Sequence, residues 1–257
     1  MSSDSFANPH STVFAHKARE NTRARTTVVI PLYNYMDTIE AALQSVKAQS
    51  APELSVVIVD DCSSDASCAR AKAWLERNAD RFASAILVTH TQNGGLSRAR
   101  NTGFALAQTP FVFTLDADNL LYPRCVERCE QAIADPLAAF AYPMLEMFGS
   151  AQGLLNTQLW NRARLARGNY IDAMALIRRS AWKKAGGYVP MEHGWEDFDL
   201  WCSFAERGWH GVRVPEILAR YCVHPASMLQ SKTNRPMALR ATARALKRRH
   251  RWLKLQH

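Results

Sequence analysis

TVVIPLYN at residues 27–34 and SVVIVDD at residues 55–61 are two short apolar runs rich in β-branched residues, and each ends in polar side chains. Unbroken apolar runs of this length are typical of strands buried on both faces, as in a parallel sheet. Between the two runs, apolar residues recur at the spacing of a helix, namely at Ile39, Ala42, Leu43 and Val46. This stretch therefore predicts a strand, a helix and a parallel strand.

The same alternation continues on the C-terminal side. A helical repeat with Ala71, Trp74 and Leu75 precedes a third apolar run at residues 85–89, and FVFTL at residues 111–115 is the fourth. A turn at residues 93–95 precedes another helix, for which Ser97 is the expected N-cap. The β-α-β-α-β-α-β order predicts an α/β fold with a mostly parallel, Rossmann-like sheet flanked by helices. The binding site is then expected at the carboxyl ends of the strands.

The composition excludes several classes of protein. Of the 257 residues, 47% are hydrophobic and 21% are charged, which excludes disordered and collagen-like chains. No apolar run approaches the roughly 20 residues of a membrane-spanning helix. Residues 1–25 lack the apolar segment of a secretory signal and are predicted to be a flexible polar leader. Six cysteines without a CxxC pair predict free thiols in a reduced, cytoplasmic setting.

The net charge of +9 comes from the C-terminal end of the chain. Residues 232–257 contain nine Lys and Arg residues and no acids, and without those nine the chain has 23 basic and 23 acidic residues. This distribution argues against a nucleic-acid partner. The tail predicts a basic amphipathic helix with one apolar face, formed by Leu239, Ala243, Leu246 and Leu253, with Trp252 beside it. Two interpretations stay open: contact with an anionic membrane surface, or packing of the apolar face on the body.

Polar side chains follow four of the predicted strands. They are Asn34, Asp60 with Asp61, Asn93, and the pair Asp116 and Asp118. One such acid is usually a turn former, but several at successive strand ends converge in space and indicate a site. In an extended chain Asp116 and Asp118 project to the same side, and their hard oxygen atoms suit Mg²⁺ or Mn²⁺.

These motifs together resemble those of glycosyltransferase family 2, which has the GT-A fold. The likeness rests on TVVIPLYN, on VIVDD at residues 57–61, on NGGLSRARN at residues 93–101 with Gly103, on DAD at residues 116–118 and on GWEDFDLW at residues 194–201; YCVHPASM at residues 221–228 is a weaker match. The resemblance implies an inverting, Mn²⁺- or Mg²⁺-dependent transfer from a nucleotide-sugar donor, with a UDP-sugar favoured. It also implies a sugar or lipid-linked sugar as acceptor, in bacterial surface polysaccharide or glycolipid assembly.

The resemblance assigns the donor and metal residues. Asp118 is the expected direct metal ligand, Asp116 contacts the ribose or the metal through water, and His224 completes the metal shell. Asp60 is expected to accept a hydrogen bond from the base. The remaining donor residues are Pro31, Tyr33, Asn34, Asn93, Arg98 and Arg100.

The resemblance also assigns the acceptor side. Asp197 is the expected general base, and Glu196 orients the acceptor or a neighbour. Trp195 is expected to stack on a sugar, and Tyr170 belongs to the acceptor-side stretch. Asp199 is expected to point elsewhere, because it lies two residues further along a helix.

On this interpretation, residues 26–120 form the nucleotide-sugar-binding half and residues 121–231 the acceptor-binding, catalytic half of one domain. Residues 232–257 form the basic helix, which would hold a cytoplasmic enzyme peripherally at the inner face of the membrane. A pyrophosphorylase-like enzyme and a Rossmann dehydrogenase are disfavoured, because PLYNYM follows the first strand where they need a Gly-rich loop. An inactive nucleotide-sugar-binding module of the same fold stays open as the alternative.

Overall fold

Ten strands form one mixed sheet in the computed structural model, which describes residues 6–17, 23–224 and 235–255. The strands are β1 (His10–Lys17), β2 (Thr26–Leu32), β3 (Leu54–Asp60), β4 (Ser84–His90), β5 (Phe111–Thr114), β6 (Leu120–Leu121), β7 (Ala138–Gly149), β8 (Gly153–Leu155), β9 (Leu176–Arg178) and β10 (His210–Val223). The helices of the same described ranges are α1 (Ile39–Lys47), α2 (Ser67–Asn78), α3 (Leu96–Leu106), α4 (Cys125–Ala132), α5 (Arg162–Leu165), α6 (Arg179–Ala185), α7 (Glu196–Glu206) and α8 (Pro236–Arg249).

The four predicted strands lie side by side and parallel, in the order β4-β3-β2-β5. The pairing of β2 with β3 runs from Thr26 opposite Leu54 to Leu32 opposite Asp60, so both strands end at the same edge. Alternate residues of β2 enter separate core clusters, with Ile30 in one and Val29 in the other. Both faces of the sheet are therefore covered, which explains the unbroken apolar runs. The predicted mostly parallel central sheet is confirmed.

The predicted helix positions are also confirmed. The four apolar residues of α1 that recur at helical spacing are fully buried, and so are Ala71 and Leu75 of α2. The expected N-cap of α3 is wrong: Gly95 caps this helix with a φ of 83°, and Ser97 lies in the first turn. A glycine at positive φ lets the chain turn directly into the helix. The hydroxyl of Ser97 donates instead to the carbonyl of Val189 at 3.2 Å.

Part of the predicted flexible leader is a strand. Residues 10–17 form β1, which pairs antiparallel with β4 from His10 opposite His90 to Lys17 opposite Ser84. The open edge of β4 offers unpaired backbone groups that β1 satisfies. Because β1 is itself an edge strand and is half-exposed, its sequence carries no clear alternation. Residues 1–5 and 18–22 of the predicted leader lie outside the described residues.

The second half of the chain extends the sheet with mixed pairing. β9 lies antiparallel between β5 and β7, and the long strand β10 runs parallel to β7. β10 carries the chain back from α7 to the edge at which β5 ends, and it brings His224 there.

The C-terminal helix packs on the body. Ala243 and Leu246 of α8, with Leu253 beyond it, belong to the core cluster that also contains Trp201. The predicted packing of the apolar face on the body is therefore confirmed for these three residues; residues 232–234 and 256–257 of the tail lie outside the described residues. All six cysteines are free thiols. No helix within the described ranges has the length and apolar character needed to cross a membrane.

Candidate active site

Asp60 ends β3 with one carboxylate oxygen unpaired. Its side chain is 2% exposed, and Oδ2 accepts hydrogen bonds from Thr89 Oγ1 at 2.8 Å and from the backbone N–H of Ser63 at 3.3 Å. Oδ1 is buried and has no hydrogen-bond partner in the described residues. A buried polar atom without a partner is costly, by about 1–3 kcal/mol or more for a charged group. Oδ1 therefore suits an N–H donor supplied by a ligand.

Asp61 holds the turn that precedes α3. Its two oxygens accept the backbone N–H groups of Gly94 at 2.8 Å and Gly95 at 2.7 Å, and His90 Nδ1 lies 2.6 Å from Oδ1. The amide of Asn93 donates to the Asp61 carbonyl at 3.0 Å. Asn93 is thus tied to the end of β3, next to Asp60. Arg98 is exposed in the first turn of α3.

The loops after β2 and β3 are joined through Asn34. Asn34 has a φ of 58°; its side-chain oxygen accepts from the N–H of Ser64 at 2.8 Å, and its own N–H donates to Ser63 Oγ at 3.0 Å. Asparagine tolerates this left-handed conformation better than most residues. Pro31 is buried within β2, whereas Tyr33 is 46% exposed just beyond the strand. The structure therefore gathers these predicted donor residues at one sheet edge.

Asp118 and His224 meet beyond the end of β5. His224 Nε2 lies 3.0 Å from Asp118 Oδ2, and the ring of Tyr35 packs edge-on against His224 with centroids 6.2 Å apart. Burial raises the pKa of Asp118, and the charge of Asp116 adds to this, whereas His224 opposes it. Burial and the same two carboxylates also raise the pKa of the Tyr35 hydroxyl. Sequence reasoning chose Tyr33 and missed Tyr35, which lies only two residues away in the same run.

The predicted metal ligands fit a divalent cation only in part. The described residues contain no group of three or more His, Cys, Asp or Glu side chains that could hold a metal ion. Asp118 and His224 offer a carboxylate oxygen and an imidazole nitrogen side by side, while Asp116 Oδ1 is bonded to Arg100 at 2.8 Å. Mg²⁺ is commonly bound by one or two carboxylates together with water and substrate phosphates. The donor set therefore suits a cation that a diphosphate helps to hold.

Arg100 of α3 connects the end of β5 with the start of α7. Its side chain is buried, with the residue 1% exposed; Nη2 donates to Asp116 Oδ1 at 2.8 Å, and Nη1 donates to Glu196 Oε1. The guanidinium also lies 5.6 Å from the ring centre of Tyr188. Arg100 was expected to approach the donor, but both its terminal nitrogens are engaged by carboxylates. Its contact with the predicted donor residues is therefore made to Asp116.

A turn in the left-handed region introduces α7 and its acids. Gly194 has a φ of 87° and Trp195, the N-cap residue, a φ of 72°. A non-glycine residue in this region costs on the order of 1–3 kcal/mol, and such strain clusters at functional sites. The Trp195 ring packs edge-on against Phe198, with centroids 5.5 Å apart. This turn sets the direction in which Glu196 and Asp197 leave the helix start.

Two neighbours hold the carboxylate of Asp197. Its Oδ1 accepts the backbone N–H of Phe198 at 2.7 Å, and the side-chain amide of Asn169 lies 3.3 and 3.2 Å from its two oxygens. Burial raises the pKa of Asp197, and the charges of Glu196 and Asp172 raise it further, against the opposing effect of Arg100. A carboxylate with a raised pKa is suited to accept a proton near neutral pH.

The stretch at residues 169–172 holds two residues that sequence reasoning missed. Asn169 contacts Asp197, and burial followed by the charge of Asp116 raises the pKa of Asp172 to about 7. The predicted residue Tyr170 instead turns its hydroxyl to the preceding loop, where it accepts the N–H of Asn161 at 2.8 Å. The one acid of this stretch, Asp172, is visible in the sequence, but which residue faces the site depends on the loop conformation.

The sequence is similar to those of known proteins. The chain is 24% identical to EpsE of Bacillus subtilis over 205 residues, which are 77% of this chain and 73% of EpsE. It is 34% identical to the succinoglycan biosynthesis protein ExoO of Rhizobium meliloti over 110 residues, 41% of this chain and 30% of ExoO.

Solved structures share the fold. S. aureus TarS 1–349 in complex with UDP-GlcNAc superposes with a TM-score of 0.72 at 16% identity, over 88% of this chain and 66% of the TarS chain. The mannosyltransferase PcManGT of Pyrobaculum calidifontis, in complex with GDP-Man and Mn²⁺, gives a TM-score of 0.64 at 22% identity, over 80% of this chain and 59% of its own. These likenesses establish the predicted GT-A fold. The family model for glycosyl transferase family 2 matches residues 27–186, well over half of the sequence, and the chain belongs to that family.

Proposed function

We propose that the protein is an inverting, metal-dependent glycosyltransferase that moves a sugar from a nucleoside-diphosphate sugar, with UDP as the first choice, to an acceptor hydroxyl. The observation that carries this proposal is the double contact of Arg100. One buried guanidinium holds Asp116, on the donor side, and Glu196, the neighbour of the candidate base. A site for joining two substrates needs its donor and acceptor halves fixed against each other to within a fraction of an ångström.

The donor half is built around Asp60. Its unpaired Oδ1 would accept an N–H of the base, which uracil and guanine both offer, and Asp116 would contact the ribose. Asn34, Asn93 and the main chain at Pro31 would line the same pocket, with Tyr33 and Arg98 at its exposed rim. TarS and PcManGT were solved with UDP-GlcNAc and GDP-Man, which supports a nucleotide-sugar site but leaves the base to experiment.

Asp118 and His224 would hold Mn²⁺ or Mg²⁺ together with the diphosphate, with Asp116 acting directly or through water. When bound, the cation neutralises the negative charge that gathers on the leaving diphosphate. The PcManGT complex contains Mn²⁺, which supports this assignment.

Asp197 is the proposed general base. The acceptor hydroxyl would donate its proton to a carboxylate oxygen of Asp197 while its own oxygen attacks the anomeric carbon, opposite the departing diphosphate. A single displacement of this kind inverts the anomeric configuration. Asn169 and the N–H of Phe198 would hold the carboxylate in place, Glu196 would fix the helix start through Arg100, and Trp195 would stack on the sugar acceptor. Tyr170 would act on the acceptor side through the loop to which its hydroxyl is bonded.

The name of ExoO supports a role in bacterial surface polysaccharide or glycolipid assembly, with a sugar or lipid-linked sugar as acceptor. We place the enzyme in the cytoplasm, in peripheral contact with the inner face of the membrane. Ala243 and Leu246 of α8 pack on the body, so this contact would use the exposed side of the helix, which includes Met237, Arg240 and Arg244. The halves at residues 26–120 and 121–231 keep their proposed donor and acceptor roles.

The first test is thermal unfolding with UDP, GDP, dTDP, CDP or ADP, each with Mn²⁺ and with EDTA. A ligand at about a hundred times its dissociation constant adds about 2.7 kcal/mol to stability. For a chain of this length, that should raise the midpoint by about 5–10 °C. A shift with one diphosphate and only with metal supports the proposal and identifies the base. Shifts without turnover of any matching donor would favour the inactive binding module, and no shift at all would contradict the donor site.

A further inference from the structure

The residues at the end of α8 form hydrogen bonds with α7, the helix that carries the candidate base Asp197. His250 is 2% exposed; its Nε2 lies 2.9 Å from Asp199 Oδ1, and its Nδ1 lies 2.9 Å from Glu206 Oε1. Ionised carboxylates only accept hydrogen bonds, so both contacts require both ring nitrogens to donate. With both carboxylates ionised, His250 joins these two acids of α7 as an imidazolium.

Neighbouring residues reinforce this contact. Arg249 donates to the two oxygens of Asp199 at 2.6 and 3.2 Å, and the indole N–H of Trp252 donates to Glu206 Oε1 at 2.9 Å. Asp199 is 1% exposed and lies at the start of α7, whereas Glu206 is its last residue. Seven residues make two helical turns, so the two acids lie on one face of α7, about 10 Å apart along its axis.

This face is the one turned away from the candidate base. Asp197 precedes Asp199 by two residues, which rotates it by about 200° around the helix axis. The prediction that Asp199 points elsewhere is thus realised, and its partners are Arg249 and His250. The C-terminal residues hold the back of α7 while Asp197 faces the site.

The same segment also contacts the loop that carries Asn169, the residue whose amide contacts Asp197. The backbone N–H of Lys254 donates to the carbonyl of Ala166 at 2.6 Å, and the guanidinium of Arg162 lies 5.0 Å from the ring centre of Trp252. Ala166 lies three residues before Asn169, whose amide contacts Asp197.

We propose that residues 249–255 form a clamp that fixes Asp197 against Asn169, with His250 as its central positioning residue. The clamp contacts neither of these two side chains. It connects α7, which carries Asp197, to the loop that carries Asn169. Charged hydrogen bonds impose a direction and a register that apolar contacts leave free. The clamp serves the transfer step and leaves the donor pocket, at the far end of the site around Asp60, unchanged. Its role in transfer rests on the assignment of Asp197 as the base.

Hydrogen exchange of the full chain tests the mechanical part without any assay of activity. His250→Gln is compared with wild type and with Arg248→Gln, a matched control two residues earlier whose side chain is exposed. Loss of one charged hydrogen bond should speed local opening by about tenfold or more. We expect faster exchange in His250→Gln at residues 166–170 and 196–199, no change in α3, and no change at all in Arg248→Gln. Faster exchange confined to residues 240–255 would overturn the clamp.

Measurements of donor turnover and of nucleotide binding distinguish a positioning role of His250 from a purely structural role. In His250→Gln we expect donor turnover to fall by about tenfold or more, while the dissociation constant for the nucleoside diphosphate stays within about twofold of wild type. Equal losses in both quantities, or unchanged turnover, would overturn the positioning role. If His250→Gln fails to fold, Glu206→Gln replaces it, because Glu206 is partly exposed and Asp199 keeps both its partners. A wild-type protein without turnover would refute the proposed function, and the exchange data would still decide the clamp.

Discussion

Replacement of Arg100 by methionine should be among the most destabilising single changes in the chain. Methionine has a similar length and no charge, so the substitution leaves Asp116 and Glu196 without the guanidinium that both contact. Glu196 is 5% exposed and bears most of the penalty, since Asp116 keeps access to solvent. Removal of one partner from a buried ion pair typically costs about 3–5 kcal/mol.

Thermal unfolding monitored by intrinsic fluorescence measures this cost. At about 2–4 °C per kcal/mol for a chain of roughly this size, the midpoint should fall by about 6–20 °C. Arg98→Met is the matched control: it makes the same change two residues earlier on the exposed side of α3, where we expect less than about 0.5 kcal/mol. The unfolding midpoint of Arg100→Lys should lie between those of Arg100→Met and Arg98→Met, because an ammonium group retains the charge but does not contact both carboxylates in the same way. Equal midpoints for Arg100→Met and Arg98→Met would refute the reasoning.

Three further predictions follow from single contacts. Asp60→Asn should weaken binding of the preferred nucleoside diphosphate by about tenfold in calorimetric titration, because it removes the charge from the unpaired acceptor; unchanged affinity would exclude Asp60 from base recognition. Asp118→Ala should abolish the difference between Mn²⁺ and EDTA in nucleotide binding, and a retained metal response would place the cation elsewhere. The third prediction concerns pH. Burial alone would lower the pKa of His250, but its hydrogen bonds to Asp199, which Arg249 also contacts, and to Glu206 outweigh the effect of burial and raise that pKa. A histidine whose pKa is raised in the folded state contributes stability that is present at pH 6 and is lost as the pH rises through the folded-state pKa. The urea midpoint should therefore fall more steeply between pH 6 and 8.5 in wild type than in His250→Gln, and parallel curves would contradict this.

The first half of the fold could be predicted because burial on both faces leaves its mark on sequence. β2 and β3 are unbroken apolar runs, and the helices between the strands place their buried residues at regular spacing. β1 could not be recognised in this way, since an edge strand with mixed exposure has no such pattern. The mixed pairing of β7, β9 and β10 depends on long-range contacts, which local periodicity does not encode.

In the candidate site, too, local sequence patterns predict some features while others depend on long-range contacts. The strand ends predicted Asp60 and Asp118 as site residues, and the resemblance of GWEDFDLW to a family motif predicted Asp197. Their partners could not be identified, because these come from distant parts of the chain. Arg100 meets Glu196 across 96 residues, and His250 meets Asp199 across 51. Only the folded chain shows that Arg100 acts between two carboxylates.

The most direct measurement of the central claim is a comparison of Asp197→Asn with wild type in two assays. One is calorimetric binding of the preferred nucleoside diphosphate, and the other is its release from the matching nucleotide sugar with water as acceptor. Asp80→Asn, at a fully exposed side chain, controls for the exchange of Asp for Asn. We predict unchanged binding and a loss of release of about 10²–10⁴-fold in Asp197→Asn alone, the range typical of a general base. Retained release, or lost binding in that variant, would contradict the assignment of Asp197 as the base.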